Sequence, residues 1–146
     1  RGLGDVYKRQ VLNKREAFRK AFDGFDRDRI LAYDDAKIEE LMSNPGIIRN
    51  RAKIKAAIAN TAVFKAIQEE LGSFDAYLSR FCPEEPILDH TSTTSPISDV
   101  ISKDLRKRGM RFVGSTIIHA FLQSIGIFNS HMPDCFMHHD NSDCKA

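Results

Sequence analysis

Residues 102–116 read Ser-Lys-Asp-Leu-Arg-Lys-Arg-Gly-Met-Arg-Phe-Val-Gly-Ser-Thr and join two segments with helical periodicity. Gly109 and Gly114 bracket a short apolar and basic turn. Glycine adopts positive φ and lets the backbone approach another molecule closely, so amides in such a turn, with the positive end of the next helix, can face phosphate oxygens. Clustered Lys and Arg side chains add affinity for nucleic acid without reading its sequence. The cations expected to surround this phosphate-binding turn are Lys103, Arg106, Lys107, Arg108 and Arg111.

A second interpretation of the same stretch stays open at this point. Gly109 is also a typical residue for ending a helix, and the basic run before it is then an ordinary solvated face. Taken alone, the stretch favours neither interpretation over the other.

Helical periodicity extends through most of the chain. It predicts helices from Lys14 to Phe22, near Asp28 to Ala32, after a cap at Asp34 or Asp35, from Asn50 to Leu71, after a cap at Ser73, and from a cap around Ser98 into the hairpin. Residues 83–96, rich in Pro, Ser and Thr, predict an irregular connection within one domain. Since the sequence shows no alternating strand pattern, we expect an all-α helical bundle.

Composition is that of one compact domain. A chain of 146 residues with 42% hydrophobic content can bury one core. The formal net charge of +2 is too small to indicate a partner, so the local basic cluster matters more. An odd number of cysteines, three, without an apolar signal stretch favours a reducing compartment, and no apolar run approaches the roughly 20 residues of a membrane span. We therefore expect a cytoplasmic protein with no membrane partner.

His131 and Cys135 are the candidate metal ligands. They stand four residues apart, so a helical turn would project both side chains to one side. A structural zinc site needs four ligands, and His138, His139 and Cys144 could substitute for missing ones, although a histidine-containing tail without metal is the better interpretation of those three.

Other reactive residue types have ordinary interpretations. His119 lies in an apolar helical segment and is expected to pack or face solvent rather than act as a base, and Cys82 is expected to be a small hydrophobe. Arg49 and Arg51 could help to hold a phosphate or a neighbouring carboxylate, but the favoured interpretation is that they are ordinary surface residues or form intramolecular ion pairs.

From Val11 to Cys135 the chain resembles the DNA-3-methyladenine glycosylase I family of the helix-hairpin-helix superfamily. The matching residues are Val11-Leu12, Lys14-Arg15-Glu16, Gly46-Ile47-Ile48-Arg49, Arg51, Lys53-Ile54, Asn60, Ser98-Asp99, Ser102-Lys103, Lys107-Arg108-Gly109, Phe112-Val113-Gly114, Thr116-Ile117, Phe121, Gln123, Gly126, His131 and Cys135. Several motifs in the right order make this specific, whereas the glycine hairpin alone would be a weak indication.

The resemblance implies a base-excision repair enzyme. Such an enzyme rotates the damaged base of double-stranded alkylated DNA into a pocket and hydrolyses the N-glycosidic bond of 3-methyladenine without strand cleavage. The DNA anchor that the resemblance implies in this chain is the hairpin from Gly109 to Gly114, with Lys103, Arg106, Arg111 and Thr116. It implies a monomer and a structural zinc ion, with His131 and Cys135 as half of its ligands and an N-terminal Cys and His as the others. It places the base-recognition carboxylate and aromatic residues upstream of Val11, so no catalytic residue can be assigned in this sequence.

Residues 1–10 depart from the family pattern. A Gly-Leu-Ser-Trp-like segment is expected before Val11, but Asp5-Val6-Tyr7-Lys8 stands there and the sequence contains no Trp. We therefore expect a non-family segment at 1–10, a partial glycosylase domain at 11–136 with its hairpin near 105–120, and a C-terminal tail at 137–146. On this interpretation the gene product is truncated and the chain as written is inactive and binds zinc poorly. A divergent natural N-terminus is the alternative.

Two other function classes fit the residues. One is a non-catalytic helix-hairpin-helix DNA-binding module, and the other is a helical protein-interaction domain whose basic run is only solvated. DNA binding that weakens with salt would exclude the protein-interaction domain, and release of free 3-methyladenine would distinguish the enzyme from the module.

Overall fold

A computed structural model describes residues 9–132 and 134–135 of the chain. The helices are α1 (Arg15–Ala21), α2 (Arg27–Leu31), α3 (Asp35–Ser43), α4 (Arg51–Leu71), α5 (Phe74–Leu78), α6 (Pro96–Lys107) and α7 (Ser115–Ser124). A 3₁₀ turn at Asp23–Phe25 lies between α1 and α2, and residues 9–13 are also helical. The expected all-α class is confirmed.

Polar side chains define where several helices begin. The Asp34 carboxylate accepts a hydrogen bond from the Lys37 amide at 2.8 Å, so Asp34 rather than Asp35 caps α3. Ser73 caps α5 as predicted, since its hydroxyl accepts from the Ala76 amide at 2.9 Å. The cap of α6 is Ser95 and not Ser98, so that prediction was wrong by one turn. Pro96 occupies the first position of α6, where its missing N–H costs nothing.

The chain divides into two compact units, residues 1–66 and 67–146. The first contains α1 to α3 and the N-terminal part of α4. Its core is an apolar cluster, in which the Phe22 ring lies 6.2 Å from that of Phe18 and 6.0 Å from that of Phe25. The buried members of the cluster are Phe22, Ile30, Ile38, Leu41, Ile47 and Ile54.

The second unit contains the end of α4, then α5, α6 and α7. Its buried apolar residues are Ile67, Tyr77, Leu78, Ile101, Leu105, Met110, Ile118, Leu122 and Phe128. Two short strands, β1 (Ile87–Leu88) and β2 (Phe128–Asn129), pair in parallel, with Ile87 opposite Phe128. The sequence did not predict this pair, because two residues are too few to show alternation and the partners are far apart along the chain.

None of the described helices is long and apolar enough to cross a membrane.

Candidate nucleic-acid interface

Helix α6 ends at Gly109 through a pair of backbone hydrogen bonds. The Gly109 amide donates to the Arg106 carbonyl at 3.0 Å, and the Met110 amide donates to the Leu105 carbonyl at 2.9 Å. This is the Schellman pattern, which requires a left-handed residue after the cap, and Gly109 has φ +103°. Gly109 is therefore a helix terminator and also the first residue of the turn, so the predicted C-cap is confirmed, while phosphate binding by the turn stays a prediction.

Gly114 has a different role from the expected one. Its φ is −64° and its ψ is 156°, which any residue can adopt, and it is the N-cap of α7. A Cβ atom there would lie 3.5 Å from the Arg106 Nη2 atom, an ordinary contact. The expectation that both glycines provide positive φ was thus wrong for Gly114. The left-handed residue within the turn is instead Phe112, with φ +58°.

Buried serines connect α6 to the turn and to α7. The Ser102 hydroxyl donates to the Val113 carbonyl at 2.7 Å, and the Ser98 and Ser115 hydroxyl oxygens lie 2.7 Å apart. Ser98 and Ser102 are both buried and lie four residues apart on α6. Because these contacts tie α6 to each end of residues 113–115, they define the path of the turn. The resemblance included both serines, but nothing in the sequence indicated which atoms they would bond.

Two of the expected DNA ligands lie along one cleft. Lys103 and Arg106 are exposed on α6, and with Asp99, Ser102 and Ser115 they line a cleft of about 270 Å³. Ser115 is the first residue of α7, so the cleft adjoins the N-terminus of this helix. Two cations and a helix N-terminus favour an anion there, although the Asp99 carboxylate offsets part of this charge.

The other predicted anchor residues surround the turn. Arg111 and Thr116 are exposed, as is Gly109, whereas Gly114 is half-buried. The structure thus brings the six predicted residues to the turn or to the helix ends beside it. Their contact with DNA stays a prediction.

Arg108 is part of the basic run in the sequence, but in the structure its side chain is paired with carboxylates of the protein. Its guanidinium donates to the Asp104 carboxylate through Nε at 2.9 Å and to Glu70 through Nη1 at 2.6 Å. The buried Tyr77 hydroxyl donates to the same Asp104 oxygen at 2.9 Å. The hydrogen bond to Glu70, then that to Asp104, raises the pKa of Arg108. Burial alone would raise the pKa of Asp104, but the hydrogen bonds from Tyr77 and Arg108 lower it overall. Arg108 is therefore engaged within the protein.

The residues with ordinary interpretations behave as expected. His119 is 1% exposed, and its ring centroid lies 4.5 Å from that of Phe128. Burial raises the pKa of the half-buried Cys82 thiol, which keeps it protonated. Arg51 forms an ion pair with Glu39, whereas Arg49 is exposed.

His131 and Cys135 approach each other. The Cys135 Sγ atom lies 3.4 Å from the His131 Nδ1 atom. Two ligands of one tetrahedral zinc ion, at about 2.3 Å for sulfur and about 2.0 Å for nitrogen, are separated by roughly 3.5 Å. The pair therefore fits half of a zinc site, and the described residues contain no cluster of three or more possible ligands. His138, His139 and Cys144 lie outside the described residues.

The known proteins that are similar to this chain are DNA-3-methyladenine glycosylases. A model of the methyladenine glycosylase family matches residues 5–138. A DNA-3-methyladenine glycosylase from Haemophilus influenzae is 35% identical over 131 residues, which cover 86% of this chain and 71% of that protein. DNA-3-methyladenine glycosylase 1 from Escherichia coli is 36% identical over 131 residues, 86% of this chain and 70% of that protein.

Solved structures agree with the sequence comparisons. A crystal structure of a 3-methyladenine DNA glycosylase I superposes with a TM-score of 0.81 at 38% identity, over 89% of this chain and 75% of the other. A tyrosine-to-phenylalanine variant of such an enzyme, in complex with 3-methyladenine, superposes with a TM-score of 0.83 at 26% identity, over 90% of this chain and 74% of the other.

The fold and the hairpin define a helical DNA glycosylase, a hydrolase of base-excision repair that acts on alkylated bases. The chain belongs to the methyladenine glycosylase family, as its resemblance from Val11 to Cys135 predicted. The matched range begins inside residues 1–10, and the boundary expected at residue 10 stays a prediction.

Proposed function

We propose that this protein binds double-stranded alkylated DNA through the turn between α6 and α7, and that this turn holds the DNA for excision of 3-methyladenine. The observation that carries the proposal is the cleft beside this turn, where Lys103 and Arg106 lie next to the N-terminus of α7. Family membership supports the proposed reaction, and the cleft supports the proposed position of the DNA strand.

A phosphate group of one strand would occupy the cleft. The first N–H groups of a helix have no partner within the helix, and in α7 the Ile117 and Ile118 amides are the first that donate to Gly114. The Ser115 and Thr116 amides precede these two at the start of α7, and we propose that they donate to phosphate oxygens. The positive charges of Lys103 and Arg106 would strengthen the binding of the same phosphate. These contacts hold the duplex without reading its sequence, which suits an enzyme that must find a lesion in any context.

The chemistry requires little from a general acid. An adenine methylated at N3 is cationic, so it is already a good leaving group, and water completes hydrolysis of the glycosidic bond. The enzyme must unstack the base and offset that cost with DNA contacts such as those of the hairpin. No lysine nucleophile and no strand cleavage are part of the proposal.

We further propose that His131 and Cys135 supply two ligands of a structural zinc ion. A thiolate and an imidazole are the donor types that zinc prefers, and their separation of 3.4 Å suits one ion. The ion would stabilise the fold and take no part in the reaction.

Since the proposed substrate is cellular DNA, we place the protein in the cytoplasm, and we propose that it acts as a monomer. A flipped base can be captured by one copy of the chain that holds one strand at the hairpin.

The test compares the chain with a variant in which residues 1–10 are replaced by a family-like segment. Methylated duplex DNA is incubated with each protein, and released bases are separated by chromatography, with zinc content measured on the same samples. We expect the variant to release 3-methyladenine and to hold about one zinc per chain, and the chain as written to bind DNA without releasing the base. No release by the variant, in a folded state, refutes the excision proposal.

The other function classes predict different results from the same samples. A DNA-binding module binds in a salt-dependent way but releases no base in either form, and a protein-interaction domain does not bind DNA. Robust release by the chain as written would show that Asp5-Val6-Tyr7-Lys8 supplies what the family pattern was expected to require.

A further inference from the structure

We propose that the Phe112 side chain is a DNA-contact residue that packs against the deoxyribose groups of the strand bound at the hairpin. This inference rests on the proposed function, because it assigns a second type of contact to the same DNA-binding surface. It concerns an apolar contact, in addition to the charged contacts of Lys103 and Arg106.

The backbone of Phe112 is unfavourable for its side chain. Its φ of +58° lies in the left-handed region, where a Cβ atom crowds the following carbonyl oxygen. Glycine has no such conflict, so glycine at this position would make the turn conformation more stable. The phenylalanine is therefore not explained by the conformation of the turn.

Aromatic packing among the described residues does not explain it either. The Phe112 residue is 54% exposed, and within the described part of the chain its ring pairs with no other aromatic ring. Strained backbone and an exposed ring are both unfavourable in the isolated protein, and such combinations cluster where a ligand binds.

Phe25 shows how a similar residue is accommodated elsewhere. It has φ +62° and is also 54% exposed. Its ring, however, stacks on the ring of Phe22, a buried member of the core cluster, with 6.0 Å between the ring centroids. Among the described residues Phe112 has no comparable ring contact, so the two residues share a conformation and an exposure but differ in aromatic packing.

The surroundings of Phe112 indicate which partner covers it. Arg111 precedes it, and the exposed Lys103 and Arg106 lie on the helix that leads into the turn. A positively charged neighbourhood attracts a polyanion, and the sugars between successive phosphates are the apolar part of its backbone. An aromatic face beside phosphate-binding groups therefore fits a DNA strand, and it would contribute affinity that is independent of base sequence.

The experiment measures duplex binding and thermal stability of the full chain with four proteins. These are the wild type, Phe112→Gly, Phe112→Tyr and the matched control Phe25→Gly. Binding of a short fluorescein-labelled duplex is followed by anisotropy at several salt concentrations, and unfolding is followed by circular dichroism.

We expect Phe112→Gly to bind about tenfold more weakly, since the apolar contact is lost. Its melting temperature should be no lower than that of the wild type, because the unfavourable backbone is relieved. The slope of log affinity against log salt should stay the same, since no cation is removed. Phe112→Tyr keeps the ring and should bind like the wild type, and Phe25→Gly should melt earlier but bind DNA normally.

Equal affinity of the wild type and Phe112→Gly overturns the inference while leaving the proposed function intact. A loss of affinity that Phe25→Gly shares would also overturn it, because the effect would then be general to the fold. If the wild type itself fails to bind duplex DNA, the proposed function is overturned and the contact with it.

Discussion

Replacing Ser102 by alanine tests whether buried serine contacts hold the turn between α6 and α7. The Ser102 hydroxyl is buried and donates to the Val113 carbonyl at 2.7 Å, eleven residues along the chain. The change Ser102→Ala removes this bond and leaves the half-buried carbonyl without that donor. A net hydrogen bond contributes about 1 kcal/mol, and an unsatisfied partner adds to the loss, so we expect about 1.5 kcal/mol of destabilisation.

The expected loss is measurable by thermal unfolding. For a chain of 146 residues, about 1.5 kcal/mol lowers the melting temperature by roughly 3–6 °C. Duplex affinity should fall modestly because the turn is less well held, and the salt slope should stay at the wild-type value since no cation is lost.

Ser124→Ala is the matched control for this prediction. The Ser124 hydroxyl donates to the Phe121 carbonyl at the same 2.7 Å, but the contact is exposed and spans only three residues. Water replaces it and alanine favours the helix, so stability should stay within about 0.5 kcal/mol of the wild type. If Ser102→Ala proves as mild as Ser124→Ala, the turn does not depend on the buried serine and our account of it is wrong.

Two further predictions concern the ends of the hairpin. The pKa of Asp104 is lowered below its ordinary 3.8 in the folded chain, so its contribution to stability is present above that pH and disappears as the pH falls toward the folded value. Urea midpoints measured across acid pH should therefore fall less steeply for Arg108→Ala than for the wild type, and equal slopes would contradict the role of this ion pair. Gly109→Ala places a side chain at φ +103° and should cost about 1 kcal/mol, whereas Gly114→Ala, at φ −64°, should be tolerated in the same unfolding assay. Equal losses at the two glycines would show that the backbone conformation of Gly109 is not what requires glycine.

Local signals in the sequence were sufficient for most helices. Asp34, Ser73 and Gly72 mark helix ends through bonds and dihedral angles that depend only on near neighbours, and the structure has each at a helix terminus. The cap of α6 was misplaced because Ser95 and Ser98 are both good capping residues, and their hydrogen bonds are reciprocal. A local pattern with two equivalent candidates cannot say which one begins the helix.

The sequence by itself determined the fold class, the family and the location of the hairpin, because helical periodicity, ordered motifs and a basic run followed by two closely spaced glycines are all properties of consecutive residues. Only the tertiary structure decided which basic residues form ion pairs within the protein, which ones line the cleft, and which residue of the turn adopts the left-handed conformation. It paired Arg108 with Glu70, 38 residues away, and left Lys103 and Arg106 at the cleft. It also gave the left-handed backbone of the turn to Phe112 instead of Gly114. The physical reason is that ion pairs and turn dihedrals depend on which distant groups the folded chain brings within hydrogen-bond distance.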